Sequence, residues 1–173
     1  MQNHQLGKLK VLTVDDEKTI LKLVNDVLTS LGFTDIVIAR SGRKAIELLS
    51  QQKFDFIITD WRMPDLDGID IVRFARTSPE SLYQMIPIIM LTGNTEAHEV
   101  IIARNAGIDG YLIKPFSAVQ LVKRIRTIIE HPREFVVSPN YTGPDRRHRT
   151  EPPPGGIERR RSMKGQASQR RII

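Results

Sequence analysis

The sequence predicts an α/β protein, a doubly wound parallel sheet of five strands with helices on both faces. Short runs of branched apolar residues recur five times, and each is followed by a stretch with helical apolar spacing. Four of those runs, KVLTVDD, FDFIITD, PIIMLT and GYLIK, close on a polar residue: Asp16, Asp60, Thr92 and Lys114. In a parallel sheet all carboxyl ends point one way, so these four residues converge on one edge although they are far apart in sequence.

The elements follow in order. Strand one, about Lys10 to Val14, runs into the acidic turn Asp15-Asp16-Glu17. The helix after it carries Ile20, Leu21, Val24, Val27, Leu28 and Leu31 on one face, with Asp16 as its expected N-cap and Gly32 as its stop. A short strand, Ile36 to Ala39, precedes a helix that starts at Ser41 and buries Ala45, Ile46, Leu48 and Leu49. Phe54 to Ile58 is apolar and branched apart from Asp55, as expected of a central strand covered on both faces. After Asp60 comes the loop Trp61 to Gly68, in which Trp61 is expected as a surface aromatic, and then a helix from Ile69 to about Thr77. Pro87 to Leu91 is the fourth strand, Thr95 to Ala106 the fourth helix and Tyr111 to Ile113 the fifth strand. Pro115 bars Lys114 from helical backbone, and Ser117 caps a last helix bearing Val119, Leu121, Val122, Ile125, Ile128 and Ile129. Right-handed crossovers with helices on both faces make flavodoxin-like order 2-1-3-4-5 the simplest topology. Its crevice lies between strands 1 and 3, that is, between Asp16 and Asp60.

Charge divides the chain in two. Residues 1–131 hold 16 Lys+Arg and 16 Asp+Glu, whereas residues 132–173 hold 10 and 4, so the whole net charge of +6 lies in the last 42 residues. Six of the ten prolines and the clusters Arg146-Arg147, Arg149, Arg159 to Arg161 and Arg170-Arg171 lie there too. Apolar content in this tail is too low for a second core. It reads as largely disordered, with room for one ordered stretch from Phe135 to Arg147. The absence of cysteine excludes disulfides and thiolate metal sites. With no signal-peptide pattern and no apolar run of membrane length, a cytoplasmic protein without a membrane span is expected.

The converging residues define a chemistry. Asp15, Asp16 and Asp60 would stand within a few ångströms, where like charges raise carboxylate pKa values or demand a cation. An all-oxygen donor set suits Mg²⁺. Asp60, alone at the end of the most buried strand, can act as a nucleophile and form an acyl phosphate. Lys114 would pair with a phosphoryl oxygen and the Thr92 hydroxyl would donate to another.

These segments, VLTVDDE, IITDWRMPDLDG, MLTG and AGIDGYLIKPF with the helices between, resemble the CheY-like receiver domain of bacterial two-component response regulators over about residues 8 to 130. The resemblance implies a receiver domain at 8–131 that takes a phosphoryl group onto Asp60 from a histidine kinase or a histidine phosphotransfer protein. It implies direct Mg²⁺ ligation by Asp16 and Asp60, Asp15 acting through water, and the backbone carbonyl of Arg62 as a further ligand. Thr92 and Tyr111 match the family's switch pair, and Lys114-Pro115 matches its cis peptide. Arg62 and Asn94 fall where the family varies, and are expected to tune dephosphorylation. The implied function is that of a single-domain response regulator, a switch acting through the face of helix 4, strand 5 and helix 5. It would be no enzyme beyond self-phosphorylation and autodephosphorylation.

Two rivals come from other classes. An aspartyl-phosphate phosphatase would carry a second acid two residues after its nucleophile, where this chain has Arg62. A flavin-binding module would need a hydroxyl-rich phosphate loop after strand 1, where this chain has the repelling sequence DDEK. Three readings of the tail stay open: a solvated segment, a docking segment for a downstream protein or for its own receiver, and a nucleic-acid or anionic-membrane contact. Phe135, Tyr141, Arg146 and Arg147 are the docking candidates, and the scarcity of aromatics after Tyr141 argues against nucleic acid.

Overall fold

The structure is a computed structural model and describes residues 6–93, 96–146 and 161–162. Its elements are β1 (Lys10–Val14), α1 (Lys18–Ser30), β2 (Asp35–Ala39), α2 (Gly42–Gln51), β3 (Phe56–Asp60), α3 (Gly68–Thr77), β4 (Ile88–Thr92), α4 (Ala97–Ala106), β5 (Gly110–Ile113) and α5 (Ala118–Glu130). Five parallel strands pair in the order β2-β1-β3-β4-β5, as the sequence predicts.

Strand alternation divides the core between the two faces of the sheet. Val11, Phe56, Ile58, Ile89 and Leu91 point to the side covered by α1 and α5, where they meet Val24, Leu28, Leu121 and Ile125. Leu12, Val14, Ile57, Ile88 and Met90 point to the other side, against Ala45 and Leu49 of α2, Ile71, Val72 and Ala75 of α3, and Ala103 of α4. Every residue of β3 and β4 is buried, as strands sandwiched between helix layers must be. Register therefore matters most at their ends, and Asp60 stands opposite Leu91.

Local details depart from the sequence reading in three places. β3 begins at Phe56, two residues after the apolar run does. Asp55 is occupied instead with both backbone polar groups' partners at Lys10: its carboxylate accepts the Lys10 N–H at 2.8 Å and its own N–H donates to the Lys10 carbonyl at 2.8 Å. The N-cap of α1 is Glu17 rather than Asp16, and the Glu17 N–H donates to Asp15 Oδ1 at 2.8 Å. Trp61 is 5% exposed and belongs to the α2–α3 side of the core, so it is no surface aromatic. Ser41 and Ser117 cap α2 and α5 through their side chains, and Gly32 follows α1 with φ 97°, as expected.

The ordered stretch singled out in the tail is a β-hairpin. β6 (Phe135–Ser138) and β7 (Tyr141–Pro144) pair antiparallel, and β6 also pairs with β8 (Arg161–Ser162). The hairpin packs on α3 and α4. Phe135, Val136 and Tyr141 are buried, each contributing roughly 1.5–3 kcal/mol. Beneath them lies Arg76, 1% exposed, whose guanidinium donates to the Gly107 carbonyl at 3.0 Å, the Gln84 carbonyl at 2.7 Å and Asp109 Oδ2 at 3.1 Å. The Phe135 ring lies 5.5 Å from that guanidinium. One buried cation thus joins α3, the α4–β5 turn and the hairpin. Residues 147–160 and 163–173 of the tail, Arg147 among them, lie outside the described residues.

Candidate functional site

Each site residue is placed by the end of a strand. Asp15 follows β1, Asp60 ends β3, Thr92 ends β4 and Lys114 follows β5. The Lys114-Pro115 peptide is cis, as the resemblance implies, and the Lys114 N–H donates to the Thr92 carbonyl at 2.6 Å. The lysine side chain then runs back across the sheet edge. Its Nζ stands 2.8 Å from Asp15 Oδ2, 2.8 Å from Asp60 Oδ1 and 3.7 Å from Glu17 Oε1.

Behind β3, Gly68 opens α3 where no side chain fits, because a Cβ there would overlap the Asp60 carbonyl oxygen. The Gly68 N–H donates to the Trp61 carbonyl at 2.8 Å, which folds the β3–α3 loop tightly over the site.

Asp15 and Asp60 are buried, and burial is the main reason that both carboxyls are held above their ordinary range, against the opposing pull of Lys114. Burial by itself would lower Lys114, but its bonds to Asp15 and Asp60 outweigh this and hold it above its ordinary value. Carboxylate oxygens of Asp15, Asp16 and Asp60 lie within 4.8 Å of one another, with Asp16 the most open to solvent. The three clustered carboxylates, with Glu17 close to the same ammonium, outnumber the single positive charge of Lys114 and leave an excess of negative charge in a partly dry crevice. An all-oxygen, net-negative donor set of this kind fits a hard divalent cation such as Mg²⁺. Thr92 is 3% exposed at the same edge.

Other predicted residues stand further out. Arg62 sends its guanidinium to Glu99 of α4, at 2.6 Å, and reaches Asp67 at 3.9 Å. Tyr111 is half-buried on β5, packed against the α2–α3 side of the core, with the Arg124 guanidinium 5.9 Å from its ring. Phe135, Tyr141 and Arg146 gather at the hairpin, remote in sequence from the acids, and Asn94 lies outside the described residues. Glu99 was not legible in the sequence. Its only signal is a carboxylate in the first turn of a helix, which usually means macrodipole compensation.

A parallel sheet with acids just after β1 and at the end of β3 and a lysine after β5, all at its carboxyl edge, defines the CheY-like class of signalling domain. The family model for the response regulator receiver domain matches residues 11–126. The chain belongs to that family, whose members are receiver switches. It is 37% identical over 122 residues to the chemotaxis protein CheY of Pseudomonas aeruginosa, a match spanning 70% of this chain and 97% of that protein. It is 36% identical to CheY-3 of Vibrio cholerae, over 70% of this chain and 92% of that one. Among solved structures, the chemotaxis response regulator CheY4 of Vibrio cholerae aligns with TM-score 0.64 and 32% identity, covering 69% of this chain and 98% of that one. The receiver domain of a sensor histidine kinase from Pseudomonas aeruginosa, described with a magnesium ion coordinated in the active site cleft, aligns with TM-score 0.59 and 28% identity over 68% of this chain and 94% of that one. Among the described residues no helix is long and apolar enough to cross a membrane.

Proposed function

We propose that this chain is a phospho-accepting response regulator in which Asp60 is the acceptor. The observation that carries the reading is the single ammonium of Lys114 bridging Asp15 and Asp60 beside a three-carboxylate cluster. An Asp60 oxygen attacks the phosphorus of a phosphohistidine on a histidine kinase or phosphotransfer protein. A P–O bond forms, the P–N bond breaks, and its electron pair stays on the departing imidazole nitrogen. Mg²⁺ held by Asp16, Asp60 and the Arg62 carbonyl, with Asp15 behind it, would offset charge on the transferred group. Lys114 then exchanges its Asp60 contact for a phosphoryl oxygen, and the Thr92 hydroxyl donates to another. That movement draws Tyr111 inward and alters the surface of α4, β5 and α5 that a downstream protein reads.

Arg62, two residues after Asp60, and Asn94, two after Thr92, set the lifetime of the acyl phosphate. The half-life of the phosphorylated chain should change in Arg62→Ala and Asn94→Ala; an unchanged half-life in both would remove them from that role. Arg62, engaged with Glu99, supplies no acid two residues after the nucleophile, which disfavours a phosphatase. The direct test is incubation with Mg²⁺ and acetyl phosphate. A hydroxylamine-labile phosphoryl group should form on the parent chain and fail to form on Asp60→Asn; no Mg²⁺-dependent labelling of the parent would overturn the reading.

A further inference from the structure

Helix α4 is held at both ends. In its first turn the Glu99 carboxylate, 4% exposed as a residue, takes the Arg62 guanidinium through Oε1, and its Oε2 has no hydrogen-bond partner among the described residues. Arg62 stands two residues after Asp60, at the rim of the acceptor site.

At the other end of α4 the hairpin is docked. Arg104 Nη2 donates to the Arg146 carbonyl at 3.3 Å, and the Arg146 guanidinium donates to the Asn105 side chain while stacking 4.1 Å from the Tyr141 ring. Gly107 ends the helix with φ 105°, and a Cβ there would meet the Thr142 carbonyl at 2.8 Å, so β7 lies directly against the helix terminus. A helix of ten residues is a rod about 15 Å long, short enough to carry a shift at one end to the other.

We infer that the hairpin Phe135–Pro144 is an intramolecular ligand of α3 and α4 whose docking is coupled, through α4, to the acceptor site. A phosphoryl group on Asp60 adds negative charge beside Arg62 and competes with Glu99 for its guanidinium. A buried carboxylate stripped of its cation is unfavourable, so the first turn of α4 has a second arrangement to move to. Displacing α4 loosens the seat of β7, and by reciprocity whatever lifts the hairpin alters the acceptor site. Lifting it would uncover the buried Arg76 and remove one wall of the groove of about 430 Å³ that Arg73, Thr77, Ile102, Asn105 and Ala106 line together with the hairpin turn. The phosphorylation arm of this inference rests on the function proposed above, whereas the Arg62 arm does not.

Hydrogen exchange on the full chain tests it. The reporters are amides of residues 135–144 against those of β3, which report global opening. In Arg62→Ala the hairpin amides should exchange at least about fivefold faster with β3 unchanged. Glu99→Gln, which keeps the shape but removes the charge, should loosen the hairpin less than Arg62→Ala does. Chain labelled on Asp60 should show the same loosening as Arg62→Ala. Hairpin exchange unchanged in Arg62→Ala, or unchanged in labelled chain, would overturn the coupling. Loosening in Arg62→Ala with no labelling of Asp60 would instead overturn the proposed acceptor role and uphold the link through α4.

Discussion

Replacing Lys114 by methionine should separate two effects that the wild-type site holds in balance. The side chain has 16% exposure, and its two partners Asp15 and Asp60 have 1% and 8%. Removing one member of a buried ion pair costs about 3–5 kcal/mol, and partial solvent access to the lysine places this case near 3 kcal/mol. The two carboxylates within 4.8 Å of each other repel by roughly 3 kcal/mol at an effective dielectric of 20, a repulsion that the lysine offsets in the metal-free parent. For a chain of this length that is a fall in Tm of about 6–12 °C without Mg²⁺. Metal affinity should move the other way. A dication and an ammonium at about 4 Å repel by about 2 kcal/mol even in bulk water, so Lys114→Met should bind Mg²⁺ at least about tenfold more tightly. Thermal unfolding in chelator and in saturating Mg²⁺, with a Mg²⁺ titration followed by Trp61 emission, reads both. Equal stability and equal Mg²⁺ affinity in the variant and the parent would refute the electrostatic account of the site.

Asp60→Asn should be more stable than the parent at neutral pH. The Asp60 carboxyl is held above its ordinary range, chiefly by burial, so the folded chain binds its proton more tightly than the unfolded chain does. The penalty begins as pH rises past the ordinary carboxylate range and is complete above the raised value, so the advantage of Asp60→Asn should vanish in acid; chemical denaturation across pH would show it. Arg76→Met should cost about 3–5 kcal/mol, because Asp109 and two carbonyls lose a fully buried partner. The double variant Arg76→Met/Asp109→Leu should recover part of that loss in denaturant titrations, and a strictly additive double variant would deny the pairing. Gly68→Ala should abolish acceptance of a phosphoryl group even where the chain stays folded, since the β3–α3 backbone must shift at Asp60 itself to admit the methyl group.

The topology was legible because period and polarity agreed: branched runs closing on Asp60, Thr92 and Lys114 admit few arrangements other than a parallel sheet. The acid cluster and Lys114 were legible for the same reason, since strand ends are positions that topology alone brings together. What escaped depended on packing. Trp61 follows a strand end and reads as loop, yet the tight turn closed by Gly68 folds it inward. Phe54 and Asp55 precede the strand within the run that reads as strand, but partners for Lys10, not hydrophobicity, decide where β3 starts. Arg76 sits in a helix with nothing in its neighbourhood to mark it as buried, and its partners Gln84, Gly107 and Asp109 come from two later loops. Glu99 is hidden likewise, because its partner Arg62 lies 37 residues away. The hairpin was visible only as an apolar island in an arginine-rich segment; that it covers α3 and α4 is a matter of shape.

The switch proposed for this site requires one bond, between phosphorus and a carboxylate oxygen of Asp60. Chain treated with Mg²⁺ and acetyl phosphate can be trapped by borohydride reduction, digested and mapped by mass spectrometry. The reduced residue should be Asp60 alone, and labelling should disappear when Mg²⁺ is chelated. Reduction mapping to Asp15, Asp16 or any residue outside the crevice, or none at all from a folded and Mg²⁺-saturated chain, would contradict it.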